Sequence, residues 1–149
     1  MDSKKNISII GCGHWGKNLI RNFSELGRLH SVSDTNHDLG MSLANTYKVA
    51  HKSLSEIVSS KEINGVVIAA PAFMHAELAI KLMNSGKHVF VEKPMAINLS
   101  EASEMIEVSK KTNSHLMVGH LLQYHPVFQK LKEMANKGYF GKLRYIYSN

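Results

Sequence analysis

Cys12 is the only cysteine in this 149-residue chain, so neither an internal disulfide framework nor a multi-cysteine zinc site can form. A lone thiol fits a reducing compartment, and a cytoplasmic protein is expected. Long hydrophobic runs are missing too. The longest, around Val66 to Met74, is broken by Pro71 and falls far short of a bilayer's width, and no basic-then-apolar leader opens the chain. Neither membrane insertion nor export is expected. No pair of histidines or carboxylates has metal-ligand spacing, so no metal site is expected. Internal repeats and low-complexity tracts are also absent. What is left is a globular composition, 44% hydrophobic and 20% charged, with no segment polar enough to stay disordered. The length suffices for one domain-sized core.

Charge is unbalanced, with 18 Lys and Arg against 12 Asp and Glu and a net +6, which raises nucleic acid as a partner. The positions argue against it. Basic residues are scattered, clustering only at Lys4-Lys5 and Lys110-Lys111, and neither pair has interleaved aromatics. A solvated surface with an anionic small ligand accounts for the excess, and no nucleic acid is expected.

Asn6 to Ile10 reads as a strand ending in glycine, followed by a helix whose apolar residues are Trp15, Leu19, Phe23 and Leu26. Gly27 stops that helix, and Leu29 to Ser33 alternates as a second strand ending at Asp34, which completes a βαβ unit. The alternation continues with a helix over Asp38 to Tyr47, a short strand over Lys48 to His51, and a helix over Ser53 to Ser60 capped by Ser53 with Glu56 three residues on. Val66 to Ala70 is a continuous apolar run, as expected of a central strand covered on both faces. His75 to Ser85 turns Ala76, Ala79, Ile80 and Met83 inward, and Val89 to Val91 is the next buried strand. Ser100 to Thr112 is a helix capped by Ser100 with an inner stripe of Ala102, Met105, Ile106 and Ser109, and Leu116 to Val118 is one more strand. Beyond them lie an amphipathic helix, Pro126 to Ala135 through Val127, Leu131 and Met134, and a strand, Leu143 to Tyr147. The fold expected is α/β, a doubly wound parallel sheet over residues 1–124. Residues 125–149 read as the start of a second unit, so the chain is expected to be a fragment.

Gly11-Cys12-Gly13-His14-Trp15-Gly16 fits G-x-G-x-x-G between a predicted strand and a predicted helix, with an acidic residue, Asp34, about 20 positions on. In a Rossmann-type dinucleotide site the glycines do different things. Gly11 makes the tight turn, Gly13 admits a pyrophosphate, and Gly16 brings the helix against the strand. His14 and Trp15, inside the turn, join the candidate cofactor contacts. The helix amino terminus offers unpaired N–H groups and partial positive charge. Asp34 should accept hydrogen bonds from ribose hydroxyls and repel a 2′-phosphate, which favours NAD over NADP, although His37 leaves an opening for the phosphorylated form. Cys12 reads as a small buried filler rather than a reactive thiol.

Glu92-Lys93-Pro94 follows a buried strand at its carboxyl end, where open α/β sheets place ligands. Lys93 beside a nicotinamide could pass a proton to or from a substrate oxygen, though position alone equally allows a solvent-facing lysine. The X-Pro bond there could be cis. His120, after Gly119 at another strand end, reads equally as a substrate contact or a structural histidine, and His125 before Pro126 as a helix-entry residue.

With the glycine turn, Ala70-Pro71 and His75, the run Val89-Phe90-Val91-Glu92-Lys93-Pro94-Met95-Ala96 closely resembles the glucose-fructose oxidoreductase / inositol dehydrogenase / MocA family over essentially the whole chain. The resemblance implies an NAD(P)-dependent dehydrogenase or reductase acting at a sugar, cyclitol or sugar-nucleotide carbon, with Lys93 near the reacting oxygen. It further implies that Ala70, Pro71 and His75 line the nicotinamide side, that Glu92 lies beside the nicotinamide end, and that the second unit begins an α+β substrate domain. A homo-oligomer is implied for the full-length protein. Two departures leave the substrate open. Ala70 and Ala72 stand where the family usually has Thr and Asn, and Gly119 to Pro126 lacks an arginine often found there. That segment, with Leu143-Arg144-Tyr145-Ile146-Tyr147, is most similar to sugar-nucleotide-type members. Two other readings compete: a non-catalytic dinucleotide-binding sensor or regulatory module, against which Lys93 speaks, and an S-adenosylmethionine-dependent methyltransferase, which the G-x-G-x-x-G spacing and the E-K-P turn disfavour.

Overall fold

In the computed structural model, which describes residues 6–147, strand and helix alternate from the start. The order is β1 (Ile7–Ile10), α1 (His14–Glu25), β2 (Leu29–Ser33), α2 (His37–Tyr47), β3 (Ala50–His51), α3 (Leu54–Ser59), β4 (Gly65–Ile68), α4 (His75–Asn84), β5 (His88–Val91), α5 (Leu99–Thr112) and β6 (Leu116–Val118). The strands form one sheet in the order β3-β2-β1-β4-β5-β6, and every neighbouring pair is parallel. Parallel neighbours need crossovers, which the helices supply. The order reverses direction between β1 and β4, and at such a switch point the two strand ends leave a crevice open. This is the doubly wound sheet that the alternation predicts.

Strand side chains alternate between two cores. Ile9, Val32 and Val67 pack with Leu19 and Ile20 of α1 and Ala44 of α2. Ile10, Val66, Ile68, Val89 and Val91 pack on the other face with Ile57, Leu82, Met83 and Met105 from α3, α4 and α5. Burial on both faces is why β4 reads as an uninterrupted apolar run. Between β1 and β2 the buried Ser8 and Ser31 hydroxyls bond each other at 2.6 Å, so neither is left unsatisfied.

Several local expectations are corrected. Asn98, not Ser100, caps α5, its side chain accepting from the Glu101 N–H at 2.9 Å. Met105 centres the buried stripe, with Ala102, Val108 and Ser109 partly buried around it. Ile106, about 100° round the helix from Met105, is 45% exposed. On α1 the buried face is Gly16, Leu19 and Ile20, whereas Leu26 lies past the last turn in solvent. β4 ends at Ile68 rather than Ala70. Ser53 and Glu56 do form the expected capping box on α3.

The chain divides into two compact units between Gly119 and His120, ahead of the boundary expected after residue 124. In the second, a 3-10 turn over Leu121–Tyr124 precedes α6 (Pro126–Asn136), which is entered through His125, whose side chain accepts from the Val127 N–H. Leu143 to Tyr147 is not a strand, contrary to expectation. A strand exists only through a neighbour's N–H and C=O groups, and among the described residues none pairs with it. The Lys4-Lys5 pair lies outside the described residues.

Candidate functional site

At the carboxyl edge of β1 the chain turns through Gly11 at φ +97°, a conformation that L side chains avoid. A Cβ at Gly11 would stand 2.5 Å from the Ala69 carbonyl oxygen, so the exits of β1 and β4 run against each other. A Cβ at Gly16 would stand 1.9 Å from the Gly11 carbonyl oxygen, so α1 packs directly on the turn. Gly13 is different: nothing lies within 4 Å of where its Cβ would be. Gly13 also begins α1 without any side-chain cap, and the first turn of the helix carries no acidic residue. The helix therefore presents free N–H groups and partial positive charge to open space, which suits an anion. The three glycines thus differ, with close packing at positions 11 and 16 and an opening at 13.

Asp34, at the end of β2, is held in place. Its Oδ2 accepts from the Cys12 N–H at 2.6 Å and its Oδ1 from the Asn36 N–H at 2.7 Å. Each oxygen keeps a second lone pair for a ribose hydroxyl. Around it stand His37 and two residues that the sequence pattern does not single out, His51 and Lys52. The His37 and His51 rings meet edge to face at 5.1 Å, and Lys52 follows β3 at the same sheet edge. The signal that finds Lys52 is its place as the first residue beyond a parallel strand.

Cys12 is fully buried, and its thiol points at the Ser33 carbonyl oxygen, 3.7 Å away. Burial, reinforced by the Asp34 carboxylate, pushes the thiol up to about 12. It is packing, not a nucleophile. Iodoacetamide at pH 8.5 should alkylate Cys12 at least ~100-fold more slowly in the folded chain than in urea, because the thiolate is the reacting form. Equal rates in a peptide-mapped time course would refute this.

A cleft of about 870 Å³ runs along this edge from Gly11 and Gly13 past Asp34, His37 and Lys52 to Ala70, Pro71 and Met74. Ala70 and Pro71 line it. His75 does not. It is only 1% exposed, and its ring bridges two carbonyl oxygens, Nε2 to Ala70 and Nδ1 to Pro94, each at 2.8 Å. It braces the β4 exit against the turn after β5 instead of facing a ligand, because α4 buries the side chain of its own first residue. In that turn, the Lys93–Pro94 peptide is cis.

Glu92 is buried at the end of β5, while Lys93 next to it is exposed. Trp15 and His14, on the first turn of α1, are exposed, Trp15 at 41%. The Trp15 indole is turned to the Glu92 carboxylate. The first unit therefore brings Gly11, Gly13, Gly16, Asp34, Ala70, Pro71, Glu92 and Lys93 to one sheet edge. His120 opens the second unit, exposed, ahead of the 3-10 turn. Among the described residues no cluster could hold a metal ion, and no helix is long and apolar enough to cross a membrane.

Residues 5–120 match the oxidoreductase family described as having an NAD-binding Rossmann fold, named for Gfo, Idh and MocA. The chain is 31% identical to the myo-inositol 2-dehydrogenase of Thermotoga maritima, over 91% of this chain and 42% of that protein. It is 30% identical to an oxidoreductase of Streptococcus pneumoniae, over 94% of this chain and 38% of that protein. Among solved structures, the UDP-N-acetylglucosamine 3-dehydrogenase GnnA of Acidithiobacillus ferrooxidans superposes with a TM-score of 0.81 at 26% identity, covering 86% of this chain and 42% of that one. The chain spans about two-fifths of the length of these relatives.

Proposed function

Because this chain belongs to the Gfo/Idh/MocA oxidoreductase family, we propose that it binds NAD along the carboxyl edge of its sheet and serves hydride transfer at a hydroxyl-bearing carbon of a sugar, cyclitol or sugar nucleotide. The observation that carries this reading is the opening at Gly13, which faces an uncapped helix amino terminus in the same cleft as a pinned Asp34 carboxylate. Gly11, Gly13 and Gly16 would cradle the pyrophosphate, Asp34 the adenosine ribose, and Ala70 and Pro71 the nicotinamide side. When bound, the nicotinamide supplies hydride acceptance and donation. The chain's own part is to hold the dinucleotide still and to move a proton at Lys93 Nζ. As a substrate alcohol is oxidised, its hydroxyl proton passes to the lysine in its neutral amine form, and in the reverse direction the ammonium returns it. The substrate class is suggested by the relatives, one a myo-inositol 2-dehydrogenase and one a UDP-N-acetylglucosamine 3-dehydrogenase.

Titration calorimetry with NADH, NADPH and S-adenosylmethionine tests the cofactor. NADH should bind tightest, because a 2′-phosphate would meet the Asp34 carboxylate. Asp34→Ala should weaken NADH about tenfold and narrow its lead over NADPH, since charge-assisted hydrogen bonds to the ribose are lost. Tighter NADPH binding by the unaltered chain would overturn the NAD assignment, and the absence of any dinucleotide binding would overturn the function.

A further inference from the structure

Glu92 is 7% exposed, and no cation stands beside its carboxylate among the described residues. A buried charge is tolerated only where hydrogen bonds replace its water. Two do so here. Oε1 accepts from the Trp15 indole N–H at 2.6 Å, and Oε2 accepts from the Lys93 backbone N–H at 3.2 Å. The carboxylate also lies flat on Gly119 after β6, where a Cβ would come within 2.9 Å of Oε1. Glu92 is thus enclosed by three sheet-edge segments: the first turn of α1, its own turn after β5, and the exit of β6. Trp15 stands two residues from Gly13, on the helix turn whose N–H groups face the cleft.

We infer that Trp15 and Glu92 form a positioning pair that fastens the Lys93 turn to the dinucleotide turn, so that Lys93 is held where the bound nicotinamide lies. The pair rests on the proton-transfer role proposed for Lys93. Glu92 is then a positioning residue. It acts through the indole on one side and the Lys93 N–H on the other. The pair bridges 77 positions of sequence, and no other side-chain hydrogen bond joins the two turns among the described residues. With the indole donor gone, one end of the fastening is lost and Lys93 samples positions away from the cofactor. Glutamine at position 92 keeps an acceptor oxygen for the indole, whereas leucine does not.

The test is peptide-mapped modification of Lys93 by trinitrobenzenesulfonate, with Lys110 in the same digest as control, without NADH and at an NADH concentration saturating for each variant. In the unaltered chain NADH should slow Lys93 labelling about tenfold and leave Lys110 unchanged, the size expected if the bound position dominates the population. Glu92→Gln should retain most of that protection. Trp15→Phe and Glu92→Leu should lose it, with Lys93 labelled at nearly the ligand-free rate even when NADH is bound. Trp15→Phe keeps the aromatic bulk at a partly exposed site and therefore supplies a folded variant even if Glu92→Leu does not fold. Full protection in Trp15→Phe would overturn the pair, including where its melting temperature has fallen, since that is what a merely structural contact gives. If NADH binds the unaltered chain without protecting Lys93, the assignment of Lys93 fails first and the pair falls with it.

Discussion

Gly13→Val is expected to leave the fold intact and to abolish NADH binding. No atom lies within 4 Å of the Cβ position, and the backbone there, at φ −67°, is one that any L residue adopts. The melting temperature should therefore move by no more than about 3 °C, as for a surface substitution away from special features. The branched side chain would instead fill the space through which a pyrophosphate reaches the first-turn N–H groups of α1. Losing several charge-assisted hydrogen bonds together should weaken NADH at least about 100-fold. Gly16→Ala makes the contrast. Its methyl would stand 1.9 Å from the Gly11 carbonyl oxygen, so helix and turn must part, at a stability cost of about 1–3 kcal/mol or more. That variant should lose both binding and melting temperature. Calorimetry beside thermal melts separates the cases, and unimpaired NADH binding by Gly13→Val would show that the pyrophosphate does not lie on this turn.

The two substitutions also mark what can be read from the chain alone. That the glycines have different tasks, packing at Gly16 and access at Gly13, is read from the strand-turn-helix pattern, and their surroundings differ in the same sense, with a Cβ 1.9 Å from backbone at Gly16 and open space at Gly13. The alternation of strands and helices is legible because parallel strands buried on both faces are short apolar runs, and each returning helix has its own apolar stripe. Helix phase is less so. Ile106 looks like a core residue until Met105 is known to face α4 and the sheet. Asn98 is masked as a cap because Ser100 also has the right chemistry, two positions later. Leu143 to Tyr147 has strand composition, but composition does not supply a neighbouring strand.

Distance along the chain limits the legibility of the site more than residue type does. Asp34 stands out because its spacing from the glycine turn is a local regularity, and its contact with the Cys12 N–H agrees with that spacing. No such regularity links Trp15 to Glu92, or His75 to Pro94. His75 carries the lesson furthest. The family resemblance implies a place on the nicotinamide side, whereas burial at the start of α4 makes it a brace between Ala70 and Pro94. Glu92 likewise is set inward against Trp15 while the neighbouring Lys93 is set outward, the opposite facing expected of successive residues leaving a strand.

Lys93→Met carries the largest effect on turnover. Methionine keeps an unbranched chain of similar length at an exposed position, so folding should be unaffected. What is lost is the proton carrier proposed at the exit of β5, while Glu92 beside it is buried and accepts from the Trp15 indole and the backbone N–H of residue 93. Positioned acid-base groups contribute about 10²–10⁴-fold, so kcat with the sugar or cyclitol on which NAD is reduced fastest should fall by that factor. NADH affinity should change by less than about tenfold, because the contacts proposed for pyrophosphate and ribose lie on other strands. A split of this kind, with turnover lost and cofactor retained, is what a proton-transfer role requires. Equal losses in NADH affinity and in kcat/KM would make Lys93 a cofactor-binding residue. An unchanged kcat would move the proton transfer to another group, and with it the basis for placing the reaction at the end of β5.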